Sequence, residues 1–165
     1  MAILKSKLDF EHYSMIGISC HLKDYRLTYY LNKFLGIELK KSKEFPIKKE
    51  KIKEIFHFSF FIYNDKNKET SYYLILNHNP ESKLFPSQKQ IDYFLISKDL
   101  FCNENEVEII NKIKSIPYVL TSYKIELSKI RSINNFLSDL EIHVSNISPK
   151  TKALLKTNLR NQKSE

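Results

Sequence analysis

Ile55-Phe-His-Phe-Ser-Phe-Phe-Ile-Tyr63 and Ser71-Tyr-Tyr-Leu-Ile-Leu76 stand either side of a polar segment, Asn64 to Glu69. In the first run Phe56, Phe58, Phe60 and Ile62 share one strand face, because side chains alternate with a period of two. Two aromatic runs around a polar turn predict an antiparallel hairpin. Upstream, Asp24-Tyr-Arg-Leu-Thr-Tyr-Tyr-Leu-Asn-Lys-Phe-Leu-Gly36 has the other period: Leu27, Tyr30, Leu31, Phe34 and Leu35 recur at i, i+3, i+4, i+7 and i+8. This predicts an amphipathic helix with Asp24 at its cap and Gly36 in the left-handed position past its end.

Outward from these two signals, short strands are expected at Leu4 to Phe10, Ser14 to Ser19, Ile37 to Lys40 and Ile91 to Ser97, with a further strand over Tyr118 to Leu127. Asn105 can cap a helix bearing Val107, Ile110 and Ile113, with Glu108 in the capping-box position and Pro117 beyond its end. Ser128 is expected to cap a last helix with Ile133, Phe136, Leu137 and Leu140 on one face. The loop from Asn77 to Gln90, with Pro80 and Pro86, is longer than most connections and reads as an ordered feature leading into Asp92 and Tyr93. The expectation is an α+β fold: a mainly antiparallel sheet with about three helices, in a single globular domain over residues 1–147, followed by a basic, flexible tail over 148–165.

The chain has 165 residues, of which 42% are hydrophobic, including 10 Tyr and 11 Phe. A chain of that size can bury about 70% of its unfolded surface. Two glycines, Gly17 and Gly36, leave no means of building a glycine-rich phosphate loop or a dinucleotide fingerprint. Cys20 and Cys102 form no CxxC pair, which excludes a disulfide scaffold and the standard zinc modules. Met1 to Lys5 is too soon interrupted by charge for a secretory apolar segment, and no run is long enough to span a bilayer. The expected location is cytoplasmic, with no membrane association, metal or cofactor.

Lys and Arg number 27 against 19 Asp and Glu, a net charge of +8. The excess lies in two segments. Lys40 to Lys53 carries seven lysines against Glu44 and Glu50; the tail carries Lys150, Lys152, Lys156, Arg160 and Lys163 against Glu165, with Leu155 and Leu159 on a short apolar face. Such segments suit a polyanion, RNA or a ribonucleoprotein, since neutralising phosphates releases counterions without demanding fixed geometry. Solubility is the plainer reading of the same lysines. The abundant aromatics suit base stacking or, equally, a core.

Phe85-Pro-Ser-Gln-Lys-Gln-Ile-Asp-Tyr93 is similar to the signature of the IPExxxVDY family of the Bacteroidota, and Leu22 to Asn32 resembles that family's first helix. Pro86, Asp92 and Tyr93 match the signature, and Ser87 stands where it has Glu. The resemblance covers residues 7 to 143, leaves out the tail, and implies no assigned activity. Gene neighbours of the family, for ribonuclease III and pyruvate kinase, hint at RNA processing or core metabolism.

No catalytic motif accompanies these residues. His12, Cys20 and His21 lack the spacing of a metal site, and His57 reads as a core or edge histidine. Arg26, on the flank of the helix stripe, and Asp92, sharing parity with Phe94 and Ile96, are both expected to point inward, which makes them a candidate ion pair. The sequence therefore predicts a non-catalytic accessory protein associated with RNA or a ribonucleoprotein. The alternative is a protein-only adaptor using the tail and an aromatic sheet face, and the third is a small-molecule enzyme.

Overall fold

A computed structural model describes residues 11–49, 51–99 and 105–148. Its chain separates into two compact units, Met1–Arg131 and Ser132–Glu165. The class is α+β, with an antiparallel sheet and three helices among the described residues.

In the first unit the elements run β1 (Tyr13–Cys20), α1 (Asp24–Leu35), β2 (Lys40–Lys41), β3 (Phe45–Lys49), β4 (Glu54–Phe58), β5 (Phe60–Asp65), β6 (Thr70–Leu76), β7 (Tyr93–Asp99), α2 (Glu106–Lys114) and β8 (Val119–Ile125). Six strands form one sheet in the order β2-β5-β6-β7-β1-β8, every pairing antiparallel, and β3 pairs with β4 in a separate two-stranded sheet. The hairpin of β5 and β6 is the one expected from the aromatic runs, with Phe61 opposite Leu74 and Tyr63 opposite Tyr72.

Both faces of the central strands are buried, so β1 and β7 are nearly continuous apolar runs. On one face Ile16, Ile18, Leu74, Tyr93 and Leu95 pack with Leu27 and Leu31 of α1 and with Ile113 of α2. On the other, Phe60 stacks on Phe45 of β3 and Phe85 meets Phe94 edge to face at 5.1 Å. Gly17 lies on this second face, where a Cβ would stand 2.9 Å from Ile91 Cδ1. Glu106 fastens the start of α2 to the sheet, accepting a hydrogen bond from the Ser14 hydroxyl and pairing with Lys124 at 2.9 Å.

Helix α1 ends as expected, with Gly36 at φ 65°. Its cap position is Lys23 rather than Asp24, which sits in the first turn, where its Oδ1 accepts the Tyr25 N–H at 2.7 Å. The run from Ile55 to Tyr63 is two strands rather than one. β4 pairs with β3 as far as Phe58, and from Phe60 the chain pairs with β6, while Ser59 bridges the two sheets and accepts a bond from the Leu76 N–H. The alternation survives the break, since Phe56, Phe58 and Phe60 are all buried.

Residues 37–39 are not a strand; the Asn32 side chain instead bonds the Leu39 backbone in both directions. In α2, Asn105 makes no side-chain cap and Glu108 pairs with Lys112 instead of closing a capping box. Val107 is exposed, because Ile109, Ile110 and Ile113 form the inward stripe.

The second unit is described from Ser132 to Ser148 and consists of α3 (Ile133–Ile147). Ile133, Phe136, Leu137 and Leu140 are its buried face, as their spacing predicts. Ser128 caps nothing: it lies in a short 3-10 turn, Leu127–Lys129, and the cap position of α3 is Ser132 in the left-handed region. The expected strand from Leu4 to Phe10 and the tail beyond Ser148 lie outside the described residues.

Candidate functional site

Two regions of the first unit carry polar chemistry. One is the corner where the loop after β6 delivers Asp92 and Tyr93 to the edge of β1. Asn77, the first residue of that loop, is fully buried, and all five of its hydrogen-bonding positions are used. Its N–H donates to Asp92 O and its C=O accepts from Leu84 N; its Oδ1 accepts from Phe85 N; its Nδ2 donates to Gln88 O and Ile91 O, at distances of 2.7 to 3.0 Å. One side chain thus does in the loop what a strand partner does in a sheet. Pro86 is the second residue of a four-residue turn closed by Gln88 N donating to Phe85 O, a position that suits its fixed φ. Both Pro86 and Ser87 are exposed.

Past this loop Asp92 N donates to Ile18 O, continuing the β1 to β7 ladder by one bond. The carboxylate continues it further: Oδ2 accepts the Cys20 N–H at 2.9 Å and lies 3.5 Å from the Ser19 hydroxyl, while Oδ1 stands 3.3 Å from His78 Nε2. Next to it the Tyr93 hydroxyl donates to Leu22 O at 2.6 Å and ties the segment between β1 and α1 to β7. Burial, with Cys20, Asp24 and Asp92 close by, pushes the Tyr93 phenol well above its ordinary value. Burial likewise raises the Cys20 thiol, against the lowering effect of a hydrogen bond from the Leu22 backbone; Asp92 adds to the rise.

The expected pairing of Asp92 with Arg26 is not formed. Arg26 is exposed on α1, and Asp92 is held by Cys20, Ser19 and His78. Helical geometry explains the miss. The buried stripe is centred between Leu27, Thr28 and Leu31, and at roughly 100° per residue Arg26 lies about 140° around the helix from that centre. Asn77 and His78, which do reach Asp92, carried no signal beyond being polar residues at the end of an apolar run.

Chemically the corner is closed. Asp92 stands between Ser19 and His78, so no imidazole lies between a nucleophile and a carboxylate as hydrolase triads require. A buried thiol held in its protonated form is a poor nucleophile. Among the described residues no group of three or more His, Cys, Asp or Glu is placed to hold a metal ion, and no helix is long and apolar enough to cross a membrane. A shallow groove along α2, lined by Asn105, Val107, Glu108, Asn111, Lys112 and Ser115, contains none of the corner residues.

The second region is the lysine run. The strand β3, hidden in the sequence by Pro46 and two lysines, pairs with β4 so that Phe45, Ile47, Phe56 and Phe58 share one face, and Pro46, Lys48, Ile55 and His57 the other. That second face is exposed, with Ile55 57% accessible, and Lys51, Ile52 and Lys53 in the connecting turn are exposed too. Lys49 is the exception: its Nζ donates to Lys83 O at 2.9 Å and lies 5.6 Å over the Phe56 ring. Lys41 reaches back to Asp24 at 3.9 Å, which places the start of the run beside the first turn of α1. Among the described residues Lys48, Lys51 and Lys53 have no acidic partner.

The tail residues Lys150, Lys152, Leu155, Lys156, Leu159, Arg160 and Lys163 lie outside the described residues. The aromatic alternation of β4 and β5 is not a surface: Phe56, Phe58, Phe60 and Phe61 are core residues, and only Tyr63 and Tyr72 of the hairpin's stacked rings are half-exposed. In comparison with known proteins, the chain matches no family model and no curated protein.

Proposed function

We propose that the protein is a non-catalytic cytoplasmic accessory protein that binds RNA, free or in a ribonucleoprotein, with the β3–β4 hairpin as its phosphate-contacting element. The observation that carries this reading is that Lys48 on the exposed hairpin face and Lys51 and Lys53 in the connecting turn are exposed and stand without acidic partners among the described residues. Lysines that neutralise no carboxylate are free to displace counterions from a phosphate backbone, and the gain needs no base-specific geometry. Exposed Ile52 and Ile55 between them supply apolar contact. The non-catalytic part is supported by the Asp92 corner, whose acceptors already serve the chain's own donors. The resemblance of residues 85–93 to the IPExxxVDY signature is consistent with this: its Pro86, Asp92 and Tyr93 all serve to position backbone.

The test is fluorescence anisotropy of a labelled RNA with the full chain, titrated over a series of salt concentrations. Wild-type affinity should fall with salt. The variant Lys48→Gln/Lys51→Gln/Lys53→Gln should have a log–log slope shallower by about 2–3, at roughly 0.7–0.9 for each phosphate that is no longer neutralised. Salt-independent binding, or a triple variant with the wild-type slope, overturns the assignment of the hairpin.

A further inference from the structure

The outer surface of α1 is unlike that of an ordinary solvated helix. At roughly 100° per residue, Tyr25, Arg26, Tyr29 and Lys33 fall on the side opposite the buried Leu27, Thr28 and Leu31. Tyr25 and Tyr29 are 62% and 61% accessible, each presenting most of a ring to solvent one helical turn apart. Tyr29 is not loose: Tyr30, half-buried beside it, meets its ring edge-on at 5.5 Å and is itself backed by Phe34 at 6.4 Å. The helix's one acidic residue, Asp24, faces Lys41, so the charge left on the outer side is that of Arg26 and Lys33.

We propose that this face of α1 is a base-stacking site for single-stranded RNA, with Tyr25 and Tyr29 as the platforms and Arg26 and Lys33 as the flanking phosphate contacts. Alternating aromatic and cationic side chains are what an unpaired strand needs, since each base has a face to stack and each link carries a negative charge. Among the residues of α1 the exposed large hydrophobic side chains are Tyr25 and Tyr29, so the face offers rings between cations rather than the aliphatic stripe a docking helix needs. The proposal rests on the RNA reading above and adds to it a preference for unpaired over duplex RNA.

The experiment compares three ligands for the full chain: a short unpaired oligoribonucleotide, a blunt RNA duplex, and heparin, which has negative charge and no bases. Tyr25→Ala/Tyr29→Ala should lose about 5- to 150-fold in affinity for the unpaired strand for each platform removed, and should bind duplex and heparin like wild type. Tyr25→Phe/Tyr29→Phe keeps both rings and should bind the unpaired strand like wild type. Both rings being exposed, the melting temperature of either variant should match the parent, which is checked first. The stacking site is overturned if the double alanine variant binds the unpaired strand like wild type, or if it loses all three ligands equally. Should the wild-type chain bind none of the three, the RNA reading falls as well; should binding depend on Lys48, Lys51 and Lys53 but not on the tyrosines, only the stacking site falls.

Discussion

The corner around Asn77 and Asp92 and the hairpin of β3 and β4 lie side by side, joined by Lys49 donating to Lys83 O and Asn79 Nδ2 donating to His57 O at 3.3 Å. They treat polarity in opposite ways. In the corner every position of Asn77 and both Asp92 oxygens find partners inside the chain. On the hairpin the cations point to water with nothing acidic beside them among the described residues. A buried polar group is costly to leave unpaired, whereas a surface cation costs little either way. The corner should therefore govern stability and leave binding alone, and the hairpin should do the reverse.

The hardest break of that contrast is Asn77→Ala. It strands the Phe85 N–H and the carbonyls of Gln88 and Ile91, each a loss of about 1–3 kcal/mol when buried, and the sum is not additive. A drop of about 3–5 kcal/mol in unfolding free energy is expected by denaturant titration, near the top of what single substitutions do. RNA affinity, measured where the variant is still folded, should not change. Stability within about 1 kcal/mol of wild type, the size of one ordinary hydrogen bond, would mean that the loop is not held by this residue.

The second break uses pH. The folded chain keeps the Tyr93 proton to a higher pH than the ordinary tyrosine value of 10.0, so its contribution to stability is complete below that value and is lost as pH rises beyond it. The Cys20 thiol acts with the same sign from its ordinary value of 9.0 upward. Unfolding free energy should thus decline on the alkaline side, by at most about 1.4 kcal/mol per pH unit for each proton involved. Tyr93→Phe removes the hydrogen bond to Leu22 O, at a cost of about 1–2 kcal/mol at neutral pH, and should make the alkaline decline shallower. A decline of the same slope in Tyr93→Phe would place the responsible groups elsewhere.

What the sequence disclosed and what it hid divide along the same line. Helix α1 and the β5–β6 hairpin were readable because their signals are local: Leu27 and Leu31 one turn apart, Gly36 free to take φ 65°, Phe61 and Tyr63 alternating towards Leu74 and Tyr72. The strand β3 was not, because Pro46 and the two terminal lysines disguise an alternation that only its pairing with β4 reveals. The break at Ser59 was hidden for a related reason, since side-chain parity runs through it unchanged and only the partner strand switches. Choice of partner is long-range, and that is also where the reading of Asp92 failed. Parity with Phe94 and Ile96 placed it in the sheet, but its half-exposed side chain turns to the end of β1, and that Cys20 and His78 would meet it depends on how a fourteen-residue loop folds around Asn77.

The smallest effect sharpens the comparison most, because it concerns Arg26, which its place on the flank of the helix stripe assigns to the corner and the structure assigns to the exterior. Asp92→Ala deprives the Cys20 N–H of its acceptor and should cost about 1–3 kcal/mol. Arg26→Met removes an exposed charge from a helix face and should change stability by no more than about 0.5 kcal/mol. Residues without a shared partner add, so a double-mutant cycle on Arg26 and Asp92 should return a coupling below about 0.3–0.5 kcal/mol. A buried ion pair between them would behave otherwise: removing either partner would leave the other charge uncompensated, each single substitution would cost about 3–5 kcal/mol, and the cycle would return a large coupling. The two arrangements thus differ both in the size of the Arg26→Met effect and in its dependence on Asp92. A coupling above about 1 kcal/mol, outside the scatter of independent sites, would return Arg26 to the corner and remove it from the face that carries Tyr25 and Tyr29.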